Sequence, residues 1–294
     1  MLQFPGSFTV ISDEISQDLT QVIAFVRRRG LAGIELRSMF GRSFRELTTD
    51  DIHQIKAQVV DAGLAVFGCA TPVFKCGLED TTAHREHREL FRRSVDVAVT
   101  LGCPLLRVFT FLRKASPATN DDMIRIAEHL TSLLDLLPKG LRLGVENEAS
   151  CLVGTGAESI ALLSQLPDPR FGLIWDPCNV LYIPEYPGPA TEGFERLAAR
   201  IVHIHAKDAA RTSTGAEARC MGDGDVGWAR HFQALREAGY RGLVSLETHW
   251  RRQALDRNTL HLPGGYAFSF GGEEASERCF DVLQHLFADD IRTS

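Results

Sequence analysis

LRLGVE (Leu141–Glu146), FGLIWD (Phe171–Asp176), IVHIH (Ile201–His205) and LVSLE (Leu243–Glu247) are four short apolar runs, each closing on an acid or an imidazole. Runs of this length and composition read as strands buried on both faces, the pattern of a parallel sheet covered by helices. The closing residues Glu146, Asp176, His205 and Glu247 stand 30, 29 and 42 positions apart, about one strand-plus-helix unit each, the last enlarged by a loop. Parallel neighbours in a barrel would bring all four side chains to its carboxyl-end mouth. Three carboxylates and an imidazole at one point repel unless something positive sits among them. A divalent cation is the natural occupant.

The same rhythm runs outward through the chain. Phe8–Ser12 reads as a first strand, with a helix over Leu19–Arg29 stopped at Gly30. GIELR (Gly33–Arg37) is a second strand. Ile52, Ile55 and Val59 form a helical stripe, with Thr48 or Thr49 as its cap and Gly63 as its stop. Leu64–Cys69 and Leu105–Phe109 read as strands three and four. Phe91, Val95 and Ala98 mark the helix between them, and Ile126, Leu130, Leu133 and Leu137 the helix after, ended by Pro138 and Gly140. In the second half helices are expected from Gly156 to about Leu166, Gly193 to Arg200, Trp228 to Ala238 and Glu274 to Phe287. A long polar loop fills the stretch before Gly227. Eight strands alternating with eight helices predict an α/β fold, a (β/α)₈ TIM barrel, as a single domain over residues 1–294. An open doubly wound sheet fits less well, because no glycine fingerprint follows the first strand.

Composition agrees with that reading. The 294 residues are 44% hydrophobic and 24% charged, as in ordinary globular proteins, and the net charge of −6 offers nucleic acid or an anionic membrane no general attraction. No run approaches the ~20 apolar residues needed to cross a bilayer, and MLQFPGSFTV has no basic region followed by a hydrophobic core. Seven scattered cysteines without a CxxC pair predict reduced thiols and a cytoplasmic location.

The oxygen, oxygen, nitrogen, oxygen ligand set suits Mn²⁺, Mg²⁺ or Co²⁺ better than a structural zinc site. Mn²⁺ is the expected ion, with Mg²⁺, Co²⁺ or Zn²⁺ as alternatives. Glu35 and Arg37 flank Leu36 and so point the same way from strand two, as a polyol-binding pair or a plain ion pair. Glu14 ends up in a similar position beyond strand one, and Arg107 in strand four is expected to pair with a barrel carboxylate. Phe111, Trp175 and Trp250 read as ring walls or as packing. Cys151 and Cys178 have no identifiable base partner and carry no assigned role.

The chain resembles the sugar isomerase and epimerase superfamily with the xylose-isomerase-like barrel. The resemblance rests on SDEIS at Ser12, GIELR at Gly33, GVENE at Gly144, WDPCN at Trp175, HIHAKD at His203, GDGDVGW at Gly222 and SLETHW at Ser245. It implies one divalent ion held by Glu146, Asp176, His205 and Glu247, with His203 one layer deeper in the barrel. It also implies that Arg211, six residues beyond the metal histidine, grips substrate oxygens. Ketose epimerases of this kind place a histidine three residues after the metal aspartate. Asn179 stands there instead, able to hydrogen-bond a substrate hydroxyl but not to transfer a proton. Glu148 follows the metal glutamate as a substrate contact or a helix cap, and Lys207 supplies positive charge beside the metal or pairs with Asp208.

The chemistry so implied is isomerisation or epimerisation of a sugar or sugar phosphate. A proton is abstracted next to a carbonyl through a metal-stabilised enediolate, and Glu146 and Glu247 are the acid–base pair. An inosose- or dehydroshikimate-type dehydratase is the alternative, because it begins with the same proton abstraction. The related apurinic endonuclease chemistry needs further histidines where this chain has Cys69, Thr71, Phe109 and Asn179. The expected partner is a small carbohydrate. Relatives of this kind often dimerise, so a homodimer fits, while the backbone N–H groups of Gly222 to Gly224 could receive an anion.

Overall fold

Eight parallel strands close on themselves in the order in which they occur. The computed structural model describes residues 6–114, 117–183, 186, 188–213, 215–252 and 265–292; the terminal residues 1–5 read above lie outside them. The strands are β1 (Phe8–Ile11), β2 (Gly33–Leu36), β3 (Ala65–Cys69), β4 (Leu105–Val108), β5 (Arg142–Glu146), β6 (Phe171–Trp175), β7 (Ile201–Ala206) and β8 (Leu243–Leu246). Each pairs with the next, and β1 closes the ring on β8 in the register Phe8↔Val244 and Val10↔Leu246. The closed parallel barrel is the architecture the alternating pattern predicts.

Helices α1 (Leu19–Arg29), α2 (Thr49–Asp61), α3 (Thr81–Leu101), α4 (Asn120–Thr131), α5 (Gly156–Ser164), α6 (Phe194–Leu197), α7 (Trp228–Glu237) and α8 (Gly272–Arg292) form the outer layer. Their starts are encoded locally. Thr48, Thr119 and Thr155 each accept the third backbone N–H of α2, α4 and α5, while Asp51, Asp122 and Glu158 reach back to the caps. Gly30 and Gly102 end α1 and α3 in the left-handed region, at φ 64° and 72°.

Three expectations need correction. The helical stripe from Ile126 to Leu137 breaks at Thr131, and Leu134–Leu136 continues as a 3₁₀ turn. The helix expected from Gly193 to Arg200 is one short α-helical turn, with Ala198–Arg200 wound as 3₁₀. The polar stretch after β7 is not plain loop: Asp208–Thr212 and Gly215–Arg219 form an antiparallel hairpin. A period of two in a mostly exposed ribbon has no apolar face to reveal it in the sequence.

One buried imidazole makes stability pH-dependent. His231 on α7 is 1% exposed and lies among Trp228 and Phe194, and its Nε2 has no hydrogen-bond partner among the described residues. Burial pulls its pKa from 6.5 down to about 4. The unfolded chain therefore binds a proton that the native chain refuses, so stability falls as the pH drops below 6.5. Between pH 6.5 and 5 the loss should be about 1.5 kcal/mol, the slope approaching ~1.36 kcal/mol per pH unit once the unfolded imidazole is fully protonated. Urea unfolding at the two pH values checks this, and His231→Phe should remove the His231 share of the slope, leaving that of His87, which burial also lowers to about 4.

Candidate active site

The carboxyl end of the barrel gathers the four strand-end residues. Glu146 closes β5, His205 lies near the end of β7, and Asp176 and Glu247 follow β6 and β8 by one residue. All four are at most 3% exposed, and one ligand-type atom from each lies within 4.8 Å of the others. His205 Nδ1 is 3.1 Å from Glu146 Oε1 and 3.7 Å from Glu247 Oε2. The opposite ring nitrogen, Nε2, faces Glu35 at 3.2 Å. Asp176 is oriented by its own turn, its Oδ1 accepting the N–H groups of Cys178 and Asn179 at 2.9 and 3.1 Å.

The surrounding charges do not balance. Six buried carboxylates (Asp13, Glu14, Glu35, Glu146, Asp176 and Glu247) face four buried fixed cations, Arg37, Arg107, Lys207 and Arg251. Among the described residues these carboxylates outnumber the fixed cations by two, and the Asp176 carboxyl and His205 imidazole titrate so as to narrow the gap. Burial, assisted by Glu247 and Glu146, pushes Asp176 up to about 7 even though the Lys207 ammonium opposes it. Burial alone would depress His205, but Glu35 and Glu146 outweigh it and hold the imidazole well above its ordinary range. Glu247 overcomes its burial and stays well below the carboxylate range through Lys207, His249 and Arg37.

A divalent cation fits this site. Arg107 Nη1 lies 3.0 Å from Glu146 Oε2 and Lys207 Nζ 2.6 Å from Asp176 Oδ2, but neither oxygen gains a hydrogen bond. Each of these buried oxygens is therefore held by ion pairing alone. Carboxylate oxygens are the hard donors that Mn²⁺ or Mg²⁺ takes. Three carboxylates and one imidazole with ligand atoms within 4.8 Å of one another make this a candidate cation site.

The other expected residues divide into those at the cluster and those away from it. Lys207 is fully inside, bridging Asp176 Oδ2 at 2.6 Å and Glu247 Oε2 at 2.8 Å; it does not pair with Asp208. Asp208 instead accepts the backbone N–H groups of Gly222, Gly224 and Val226, so the anion expected at that glycine turn is the chain's own carboxylate. Asn179 buttresses the site, with Nδ2 2.9 Å from Asn147 O and 3.5 Å from Glu146 Oε1. Glu35 and Arg37 do not pair with each other. Glu35 lies beneath His205, whereas Arg37 binds Asp13, Glu14 and Glu247. Arg211 is exposed on the hairpin and donates Nη2 to Gly188 O at 2.8 Å, away from the acids. Glu148 is held by Ser150 and faces Lys75, and the cap of α5 is Thr155. Phe111 and Trp175 are packing residues at 0% exposure.

Asp13, His249 and Arg251 belong to the site and were not singled out from sequence. Asp13 lies in SDEIS, but nothing local distinguishes it from a turn aspartate. His249 sits at φ 46°, its ring stacked on Phe268 at 4.0 Å and its Nε2 3.2 Å from Glu247 Oε1. The histidine two residues beyond a strand-end glutamate was the available signal, since alternation aims both toward the mouth.

A parallel (β/α)₈ barrel with an acid–histidine centre at its carboxyl face is the build of barrels whose chemistry sits on the loops after the strands. The chain belongs to the xylose isomerase-like TIM barrel family, whose model matches residues 23–283. No curated protein matches it in sequence. Among solved structures it is similar to the IolI protein with a bound zinc atom, at 16% identity and a TM-score of 0.75, covering 96% of this chain and 98% of that one. L-Ribulose 3-epimerase is 17% identical, with a TM-score of 0.72 and coverage of 98% and 96%. D-Allulose 3-epimerase from Methylomonas sp., in complex with D-allulose, is 19% identical, with a TM-score of 0.69 and coverage of 92% and 95%. At these identities the likeness is one of fold.

Proposed function

We propose that the chain is a divalent-metal-dependent isomerase or epimerase that moves a proton next to the carbonyl of a small sugar. The observation carrying this reading is that Glu146 and Glu247, both buried, lie 3.1 and 3.7 Å from His205 Nδ1 and, against their burial, are held below the ordinary carboxylate range by neighbouring cations. A divalent ion held by Glu146, Asp176, His205 and Glu247 would polarise a substrate carbonyl and its neighbouring hydroxyl, acidifying the C–H between them.

The chain's own groups then account for the proton. One glutamate carboxylate removes it, leaving an enediolate; the same glutamate returns it to the adjacent carbon in isomerisation, and in epimerisation the other glutamate, once protonated from solvent, delivers a proton to the opposite face. Arg107 at 3.0 Å and Lys207 at 2.8 Å keep Glu146 and Glu247 anionic before the reaction. The carboxyl protons exchange with solvent between turnovers, which is what deuterium incorporation reads. The names of the L-ribulose and D-allulose 3-epimerases and the zinc in the IolI structure support a sugar substrate and a metal. Arg211 is the proposed clamp on substrate oxygens, requiring its guanidinium to leave Gly188 O.

A dehydratase is the second reading, favoured by one observation. Asn179 stands against Asn147 O and Glu146 and offers no proton-transfer group, so a reaction in which a β-hydroxyl leaves without reprotonation on that side is open. NMR of ketoses, inososes and dehydroshikimate in D₂O tests both. EDTA-treated protein should exchange no substrate C–H, and Mn²⁺ should restore exchange. An exchanged isomer supports the first reading and a dehydrated product the second. Exchange that survives EDTA would sink the metal-dependent mechanism.

A further inference from the structure

We propose that Glu35 is a positioning residue for the metal centre: it fixes His205 so that Nδ1 faces Glu146 and Glu247. This inference rests on the metal-dependent reading above. His205 has two ring nitrogens and one of them must be free of hydrogen to bind a cation. Nε2 lies 3.2 Å from both oxygens of Glu35, so that edge donates N–H downward into the barrel. Nδ1 is the nitrogen on the cluster side, 3.1 Å from Glu146 and 3.7 Å from Glu247, and is the one whose lone pair a cation would take in place of a proton. A carboxylate in this place holds the ring's orientation and raises its basicity toward a cation.

Glu35 is itself locked. It is 1% exposed, and Oε2 accepts from Ser245 Oγ at 2.5 Å and lies 3.0 Å from His203 Nε2. The backbone makes room for it. The β2–β3 pairing shifts register between Ile34 and Glu35, which sets Glu35 opposite Gly68. A Cβ at position 68 would come within 3.0 Å of Glu35 Cγ and 3.2 Å of its Cδ. The glycine therefore seats the carboxylate, and a residue that reads from sequence as a sugar contact works one layer below, through His205.

The test is a titration of the full chain with Mn²⁺ followed by EPR, and with Co²⁺ followed by visible absorption, with folding checked by circular dichroism. Glu35→Leu should weaken Mn²⁺ binding about 10- to 100-fold and alter the Co²⁺ band, because the Nε2–H loses its acceptor. Glu35→Gln retains an amide oxygen as acceptor and should lose clearly less. Gly68→Ala, which crowds Glu35 without removing it, should fall between wild type and Glu35→Leu. A folded Glu35→Leu with wild-type Mn²⁺ affinity and an unchanged Co²⁺ band overturns the positioning role, as does an equal loss in Leu and Gln. Failure of the wild-type chain to bind either ion overturns the metal reading itself, and this inference with it.

Discussion

Glu247→Gln should lower turnover by roughly 10³-fold or more, since proton transfer by a placed carboxylate contributes about 10²–10⁴-fold and a ligand charge is lost with it. The amide is nearly isosteric and cannot accept the substrate proton at neutral pH. Stability should fall as well. Against its burial, Lys207, His249 and Arg37 hold Glu247 well below the carboxylate range, so its charge stabilises the native chain. Lys207 keeps Asp176 at 2.6 Å, and Arg37 keeps Asp13 and Glu14. The melting temperature without metal should therefore fall only modestly, since these cations keep other partners, while activity disappears. Glu146→Gln should behave likewise in activity, with Arg107 the cation left short of a partner. Melting curves with and without Mn²⁺, beside deuterium exchange, separate these effects. Wild-type exchange in both variants would remove Glu146 and Glu247 from the mechanism.

The barrel was legible because each strand writes its own apolar run and each helix its own stripe and cap. FGLIWD and IVHIH show strands without any knowledge of their neighbours. The four strand-end residues were legible for the same reason: in a parallel barrel, chain position fixes which end a side chain reaches. What failed were choices made between elements. Glu35 and Arg37 share a face of β2, yet the register shift beside Glu35 turns it over Gly68 and under His205, while Arg37 turns toward β1. No local pattern records such a shift. Lys207 and Asp208 are neighbours in sequence that serve opposite purposes, one inside the cluster and one holding the Gly222–Val226 turn, because alternation sends them to opposite faces. The hairpin from Asp208 to Arg219 was missed because it is stabilised by its own ladder and not by a buried face.

Arg37→Met should be the most destabilising single change at the site, by about 3–5 kcal/mol, the usual cost of leaving a buried charge unpaired. One guanidinium serves three carboxylates. Nη2 lies 2.7 Å from Asp13 Oδ1 and 2.6 Å from Glu14 Oε1, and Nη1 lies 2.5 Å from Glu247 Oε1. Glu14 would still have Arg251 at 3.1 Å, and Glu247 would still have Lys207. Asp13 would retain only neutral donors such as Ser38, with its side chain fully buried. Burial already raises the Asp13 pKa against the pull of Arg37, and without Arg37 the rise must be larger. The native variant then binds a proton the unfolded chain does not, so it should regain stability as the pH is lowered from neutrality. Asp13→Asn in the Arg37→Met background should recover much of the loss, giving a coupling energy in a double-mutant cycle. Arg37→Lys should not rescue it, because an ammonium cannot present the fork that reaches all three acids at once. Urea denaturation of the four proteins decides the matter: a loss under about 1 kcal/mol for Arg37→Met would mean that this ion network is no more stabilising than a surface pair.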